Sequence, residues 1–274
     1  MELAGAVVVI TGAGHGIGAG LARRVAVEGL NGLVLVDRDG PSVEAVATEL
    51  RASFPGLVVL AVDADVADAA QVQAFVSRTV AELGRIDLFV ANAGIGAGGG
   101  LDASDEVWAA AWAVNVMAHV VAARLVVPAM VERGGGAFVT TASAAGLLTN
   151  LGNAPYSVTK HGAVAFAEWL AITYGDQGLY AACICPMGID TDLLRSGQGT
   201  LEGASVAALP VLTVPDACDR IVDGILAGRF LILTHPETSQ YEQNRAGDRD
   251  RWIAGMRRVQ RQVVESLGPA RMGP

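Results

Sequence analysis

The residues best suited to chemistry in this chain stand at helical spacing: Tyr156 and Lys160, in the run Tyr156-Ser157-Val158-Thr159-Lys160. On a helix, positions i and i+4 share a face, so a phenol and an ammonium can approach one reacting centre together. Lys160 is the only lysine among 19 basic residues, all the others being arginine. A guanidinium fork suits carboxylate and phosphate, whereas lysine is a point charge with three donors on a flexible stem. A chain that uses arginine elsewhere has kept one compact ammonium beside a phenol. The pair reads first as chemistry at one centre; the bland alternative is a surface tyrosine with a chance lysine at helical spacing.

Such a pair needs a scaffold. Short apolar runs recur at Val7 to Ile10, Leu33 to Val36, Leu57 to Val62, Ile86 to Ala91, Ala137 to Thr141, Tyr180 to Cys185 and Phe230 to Leu233, with helical periodicity between them. Alternating strand and helix signals predict an α/β fold of right-handed βαβ crossovers on a parallel sheet. Ligands of such sheets sit beyond the carboxyl ends of the strands, where the strand order reverses. Functional residues are therefore expected directly after the apolar runs.

After the first run comes Thr11-Gly12-Ala13-Gly14-His15-Gly16-Ile17-Gly18, leading into a helical stretch. Glycines there permit a tight turn, close approach of a pyrophosphate and close helix–strand packing, and the helix N-terminus offers free N–H groups. The second run ends in Asp37, a carboxylate able to accept hydrogen bonds from an adenosine ribose and to repel a 2′-phosphate. That favours NAD over NADP, although Arg38 and His15 are cations that could hold a phosphate.

These motifs together resemble the short-chain dehydrogenase/reductase family over roughly Ala4 to Phe230. The glycine turn, with Gly12, Gly14, His15, Gly16, Ile17 and Gly18, is similar to the family's cofactor turn. Asp65 and Val66 match its adenine-contacting position, and Asn92-Ala93-Gly94 matches the motif that ends its fourth strand. Asn115, Ser143, Tyr156 and Lys160 match its catalytic four. The resemblance implies a Rossmann-type, doubly wound, seven-stranded sheet in a single domain over residues 1–239, with a helical extension over 240–274. It implies that Tyr156 is the general acid/base, that Lys160 favours the phenolate and bonds the nicotinamide ribose, and that Ser143 donates to the substrate oxygen. Asn115 would hold a water linking Lys160 to solvent. Read from the residues alone, Ser143 could equally be a turn hydroxyl and Asn115 a structural hydrogen-bonding group.

One departure touches the pocket. Where the family has Pro-Gly, the run here is Pro186-Met187-Gly188-Ile189-Asp190-Thr191, which removes positive-φ freedom and brings a thioether toward the nicotinamide. Ile189 and Thr191 still match the residues that hold the carboxamide. The substrate loop is expected at about 192–214, where Leu193, Leu194, Leu201, Val206 and Leu209 make an apolar lining, with Leu147, Leu148 and Leu151 on the facing wall. An apolar secondary alcohol or ketone follows as the expected substrate.

Beyond Gln240, Trp252, Met256, Val259 and Val263 form an apolar helical stripe, with Arg257, Arg258 and Arg261 off it. Packing on its own subunit or a neighbour is the expected role; an anionic membrane surface is the sharper alternative. His119, His161 and His235 read as ordinary core or surface residues.

Composition excludes other classes. A net charge of −9 argues against nucleic-acid binding. Three cysteines, with no metal-ligand spacing among them and no basic stretch at the N-terminus, lead to the expectation of a cytoplasmic protein with reduced thiols and no metal. The apolar stretch Val114 to Val131 contains His119, Arg124 and Pro128, against a membrane span. The resulting expectation is an NAD-dependent alcohol dehydrogenase or carbonyl reductase acting on a small molecule, a homotetramer by resemblance. An NADPH-dependent ketoreductase and a non-catalytic dinucleotide sensor are the rivals.

Overall fold

The structure, a computed structural model, describes residues 1–197, 200, 201, 203, 204 and 210–267. Seven parallel strands form one sheet: β1 Val7–Thr11, β2 Gly32–Asp37, β3 Val58–Asp63, β4 Leu88–Ala91, β5 Gly136–Thr141, β6 Leu179–Cys185 and β7 Leu231–Leu233. Their order is β3-β2-β1-β4-β5-β6-β7, so the winding reverses between β1 and β4. Each apolar run of the sequence is a strand because both faces of a parallel sheet are covered. β1 is buried at every position.

One face of the sheet is covered by α1 Gly16–Ala26, α2 Gly40–Ser53 and, from the far end of the chain, α9 Val214–Leu226. The opposite face carries α3 Ala69–Leu83, α5 Ala118–Glu132 and α7 Ala154–Tyr174. Strand alternation assigns the layers on β5, where Ala137 and Val139 pack toward α1 and Phe138 packs toward α5. Phe138 stacks on Phe89 of β4 at 5.5 Å between ring centroids. Residues Asp105–Glu132 are long and apolar enough to cross a membrane, but half of the most apolar window is buried against the sheet and neighbouring helices, as in a core helix.

Four further helical segments border the carboxyl edge of the sheet: α4 Asp105–Trp112, joined to α5 by a π-helical turn at Ala113–Met117, the short α6 Ala145–Leu148, and α8 Asp192–Ser196. The chain ends in α10 Glu237–Gly247 and α11 Arg249–Leu267. The first of these two helices opens at Glu237, directly after Pro236, which lacks an N–H and fixes φ at the helix start.

Candidate active site

The turn after β1 is shaped by contacts that leave no room for side chains. Gly12 has φ +66°, and a Cβ on it would lie 2.9 Å from Ala93 Cα. A Cβ on Gly18 would lie 1.9 Å from the Gly12 carbonyl oxygen, so helix α1 is seated against the turn as only glycine allows. His15 precedes the first turn of α1 without a side-chain cap, and no acid occupies that turn. The free N–H groups and the positive dipole end therefore face the cleft. Gly16 has φ +49°, and Thr191, after β6, closes over it at 3.2 Å from where its Cβ would be.

Asp37 ends β2 beside this turn. Its carboxylate accepts the Gly14 N–H at 2.9 Å and the Asp39 N–H at 3.1 Å. His15 Nε2 lies 2.8 Å from an Asp39 carboxylate oxygen, and this contact holds the Asp39 carboxyl at about 2. Arg38 is exposed at the same corner and has no ion pair among the described residues. Across the switch point, Thr11 Oγ1 accepts the N–H groups of Asn92 and Ala93, and the Asn92 side chain donates to the Thr11 carbonyl at 2.9 Å. The ends of β1 and β4 are thereby locked together.

Helix α7 presents Tyr156 and Lys160 together. Asn153 caps it by accepting the Tyr156 N–H at 3.1 Å, which puts Tyr156 in the first turn, where the dipole favours an anion. Lys160 follows one turn later with Nζ 5.6 Å from the Tyr156 ring centroid, donating to the Thr141 carbonyl at 3.0 Å. The lysine is 3% exposed, and burial pushes its ammonium down to about 8, opposed by the neighbouring Cys183 and Cys185. Gly94 preserves space at this point: a Cβ there would lie 3.1 Å from Lys160 Nζ and 3.2 Å from Asn115 Oδ1.

Asn115 lies in the π-helical turn and is fully buried, outside the cleft lining. Its side chain donates to the Ile95 carbonyl and to Thr159 Oγ1 and accepts the Ile95 N–H. The structural alternative for Asn115 is thus filled by direct bonds, within a π-helical turn of the kind frequent at functional sites. Ser143, just after β5, accepts the Ala145 N–H at 3.1 Å and also lines the cleft.

These residues surround one cleft of about 1430 Å³, large by the standard of small-molecule sites. It gathers Gly12, His15, Gly16, Ile17, Gly18, Asp37, Arg38, Asp65, Val66, Asn92, Ala93, Gly94, Ser143, Tyr156, Lys160, Pro186, Met187, Ile189, Thr191 and Leu193. Gly14 is not on the lining; its N–H instead holds Asp37. Leu147 is a correction: it is buried among Ala163, Val164 and Cys183, because on the single turn of α6 neighbouring residues point apart, and Leu148 faces the cleft instead. Leu151 and Leu194 also line it, whereas Val206 and Leu209 lie outside the described residues. Met187 forms part of the wall and accepts a weak hydrogen bond from Thr238 at 3.9 Å.

Sequence reasoning missed the wall built by the C-terminal helices. Tyr241 of α10 and Arg251, Trp252, Met256, Arg258 and Val259 of α11 line the same cleft. The anchor is Arg245, whose guanidinium meets His161 Nε2 of α7 at 3.2 Å. The apolar stripe was visible in the sequence; what it covers was not.

The comparisons agree with this geometry. The family model described as short chain dehydrogenase matches residues 6–200. A levodione reductase of Leifsonia aquatica is 35% identical over 201 residues, 72% of this chain and 74% of that protein. A 1-deoxy-11-beta-hydroxypentalenate dehydrogenase of Streptomyces avermitilis is 31% identical over 253 residues, 90% of each chain. The crystal structure of a Burkholderia phymatum short-chain dehydrogenase/reductase in complex with NAD superposes with TM-score 0.81 at 30% identity, covering 91% of this chain and 96% of that one. With its doubly wound sheet, glycine turn and Tyr156–Lys160 helix, the chain belongs to the short-chain dehydrogenase/reductase family of oxidoreductases.

Proposed function

We propose that this oxidoreductase interconverts a bulky, largely apolar secondary alcohol and its ketone with NAD(H), using Tyr156 as the general acid/base. The observation that carries the reading is the Lys160 ammonium 5.6 Å from the Tyr156 ring, on a helix N-terminus opening into a cleft that ends at a glycine turn.

The residues fit a dinucleotide. The Gly12–Gly18 contact seats α1 against the turn with no room for a Cβ, so the α1 N-terminus reaches the cleft uncovered by side chains, and Asp37 stands where adenosine hydroxyls would donate. Asp65 and Val66 would flank the adenine, Asn92, Ala93 and Gly94 the central ribose, and Pro186, Ile189 and Thr191 the carboxamide. Bound there, the nicotinamide supplies the hydride acceptor or donor. For oxidation, Tyr156 takes the hydroxyl proton while Ser143 donates a hydrogen bond to the same oxygen as charge develops on it. Lys160 makes the phenolate available by placing a positive charge beside it, assisted by the helix dipole. Asn115 fixes the Ile95 segment and Thr159, and so the position of α7 relative to β4.

Substrate class follows from the wall. Leu148, Leu151, Met187, Leu193, Trp252 and Met256 give the cleft an apolar lining, with Arg251 and Arg258 on the α11 side. The test is a panel of secondary alcohols and ketones, steroid and terpenoid types included, in neutral and carboxylated forms, with NAD and NADP in parallel. Turnover preferring NAD and bulky members supports the reading; absence of turnover with either dinucleotide overturns it. An NADP-dependent reading draws on Arg38, exposed beside Asp37, and the same nucleotide titration decides it.

A further inference from the structure

Helix α5 turns His119, Ala122, Ala123 and Val126 toward the sheet, at spacings that share one face. Ala122, Ala123 and Val126 pack in the cluster that contains Phe89 and Phe138, so His119 sits one turn nearer the carboxyl edge. It is 2% exposed, and among the described residues neither ring nitrogen makes a geometrically complete hydrogen bond. The Ala93 main chain does contact the ring, favouring its protonated form, at less than full hydrogen-bond geometry. Burial, first, and the Lys160 ammonium, second, push its pKa down to about 3, so the ring is neutral at working pH.

The second unpartnered group is the Thr140 hydroxyl, fully buried on β5. Thr140 pairs with Ala91 on one side and Cys183 on the other. Alternation points it the same way as Phe138, toward the layer of α5 and α7. Thr141 Oγ1 is also unpartnered, but alternation sends it to the opposite face, so it does not belong to this group. Lys160 enters from α7, three residues before Ala163 and seven before Ala167, which pack on Ala142 and Cys183 of that same layer. Helices α5 and α7 and strand β5 pack on one another, His119 and Lys160 feel one another electrostatically, and Lys160 bonds the carbonyl of Thr141, next to Thr140; from this we place the three residues at one corner beneath the cleft. The titratable groups facing Lys160 there are His119 from α5, Cys183 and Cys185 from β6, and Tyr156 from α7 itself.

Buried polar groups are almost always paired, and a water fits where two to four of them converge. A neutral imidazole supplies one donor and one acceptor, a threonine hydroxyl can do either, and the ammonium has donors left beyond the one given to Thr141. We propose that His119, Thr140 and Lys160 together hold an internal water on the core side of the lysine, making His119 a positioning residue for the ammonium. The water site is separate from the cleft and from Asn115, whose side chain is spent on Ile95 and Thr159. Its catalytic consequence rests on the function proposed above; its existence does not.

Two measurements test it on the full chain. A high-resolution crystal structure is expected to show a water within hydrogen-bond distance of a His119 ring nitrogen and Thr140 Oγ1; a dry corner overturns the proposal, whatever the activity. In the pH profile of turnover, His119→Leu is expected to bring the alkaline limb down by about one pH unit, as the ammonium loses a partner, and His119→Gln to restore it. A limb that moves in neither variant, or equally in both, contradicts the positioning role. Should His119→Leu fail to fold, Thr140→Val, which removes the hydroxyl at nearly constant shape, carries the same comparison.

Discussion

The cleft has two walls of opposite construction. The sheet-edge wall is buried and closed: Asn115 and Lys160 are 0% and 3% exposed, the Gly12–Gly18 approach admits no side chain, and Thr11, Asn92, Asn115 and Asn153 are each tied to neighbouring strands or helices. The C-terminal wall is open. Helix α11 has no buried residue, and α10 only Thr238. On the proposed function, groups that would hold the cofactor and the reacting oxygen to fractions of an ångström sit where packing fixes them, whereas groups that would choose the molecule sit on elements that can change at little cost to the core.

That contrast is broken most severely at Tyr156. Tyr156→Phe is expected to lower turnover by about 10³-fold while leaving dinucleotide affinity near wild type, checked by steady-state rates and fluorescence titration. Lys160→Met comes next, with a loss of about 10²-fold in rate and a gain in stability of the unliganded protein. Its ammonium titrates near 8 in the fold against the ordinary 10.5, so the folded state binds fewer protons between these values and stability rises with pH across that window. Below about pH 8 the buried charge costs about 3 kcal/mol, which the methionine removes; denaturant midpoints at pH 7 and pH 10.5 should differ less in the variant. Asp37→Ser should shift the NAD over NADP preference by about tenfold toward NADP, read as a ratio of kcat/KM values. The smallest effect belongs to the open wall: Trp252→Ala should raise KM for bulky alcohols about fivefold, with small alcohols and both dinucleotides unchanged. An equal effect on small alcohols would show that α11 supports the closed wall rather than selecting substrate.

Much of the closed wall was legible in the sequence, because its elements are built from local rules. Parallel strands covered on both faces read as unbroken apolar runs, and the turn and acid follow them directly. Edges differ where side chains intervene: β4 begins at Leu88 rather than Ile86, the Asp87 carboxylate accepting the Val7 N–H at 2.9 Å ahead of the ladder. Leu147 and Leu148 could not be told apart, since adjacency in sequence says nothing of which side of a single turn faces a cavity. The Trp252-Met256-Val259 stripe announced a covered face without naming its partner, which only the Arg245–His161 contact and the fold of α10 against α6 determine. His119 was a polar residue in an apolar helix, and its meaning depended on Thr140 and Lys160 arriving from two other elements.

The central claim is that hydride passes between a substrate carbon and a nicotinamide in this cleft while Tyr156 moves the proton. It is tested most directly by incubating the protein with NAD and an active secondary alcohol deuterated at its carbinol carbon, then weighing the dinucleotide by mass spectrometry. The account predicts one deuterium in the reduced dinucleotide from the wild type and almost none from Tyr156→Phe. Unlabelled dinucleotide from the wild type, or equal labelling from Tyr156→Phe, would contradict it.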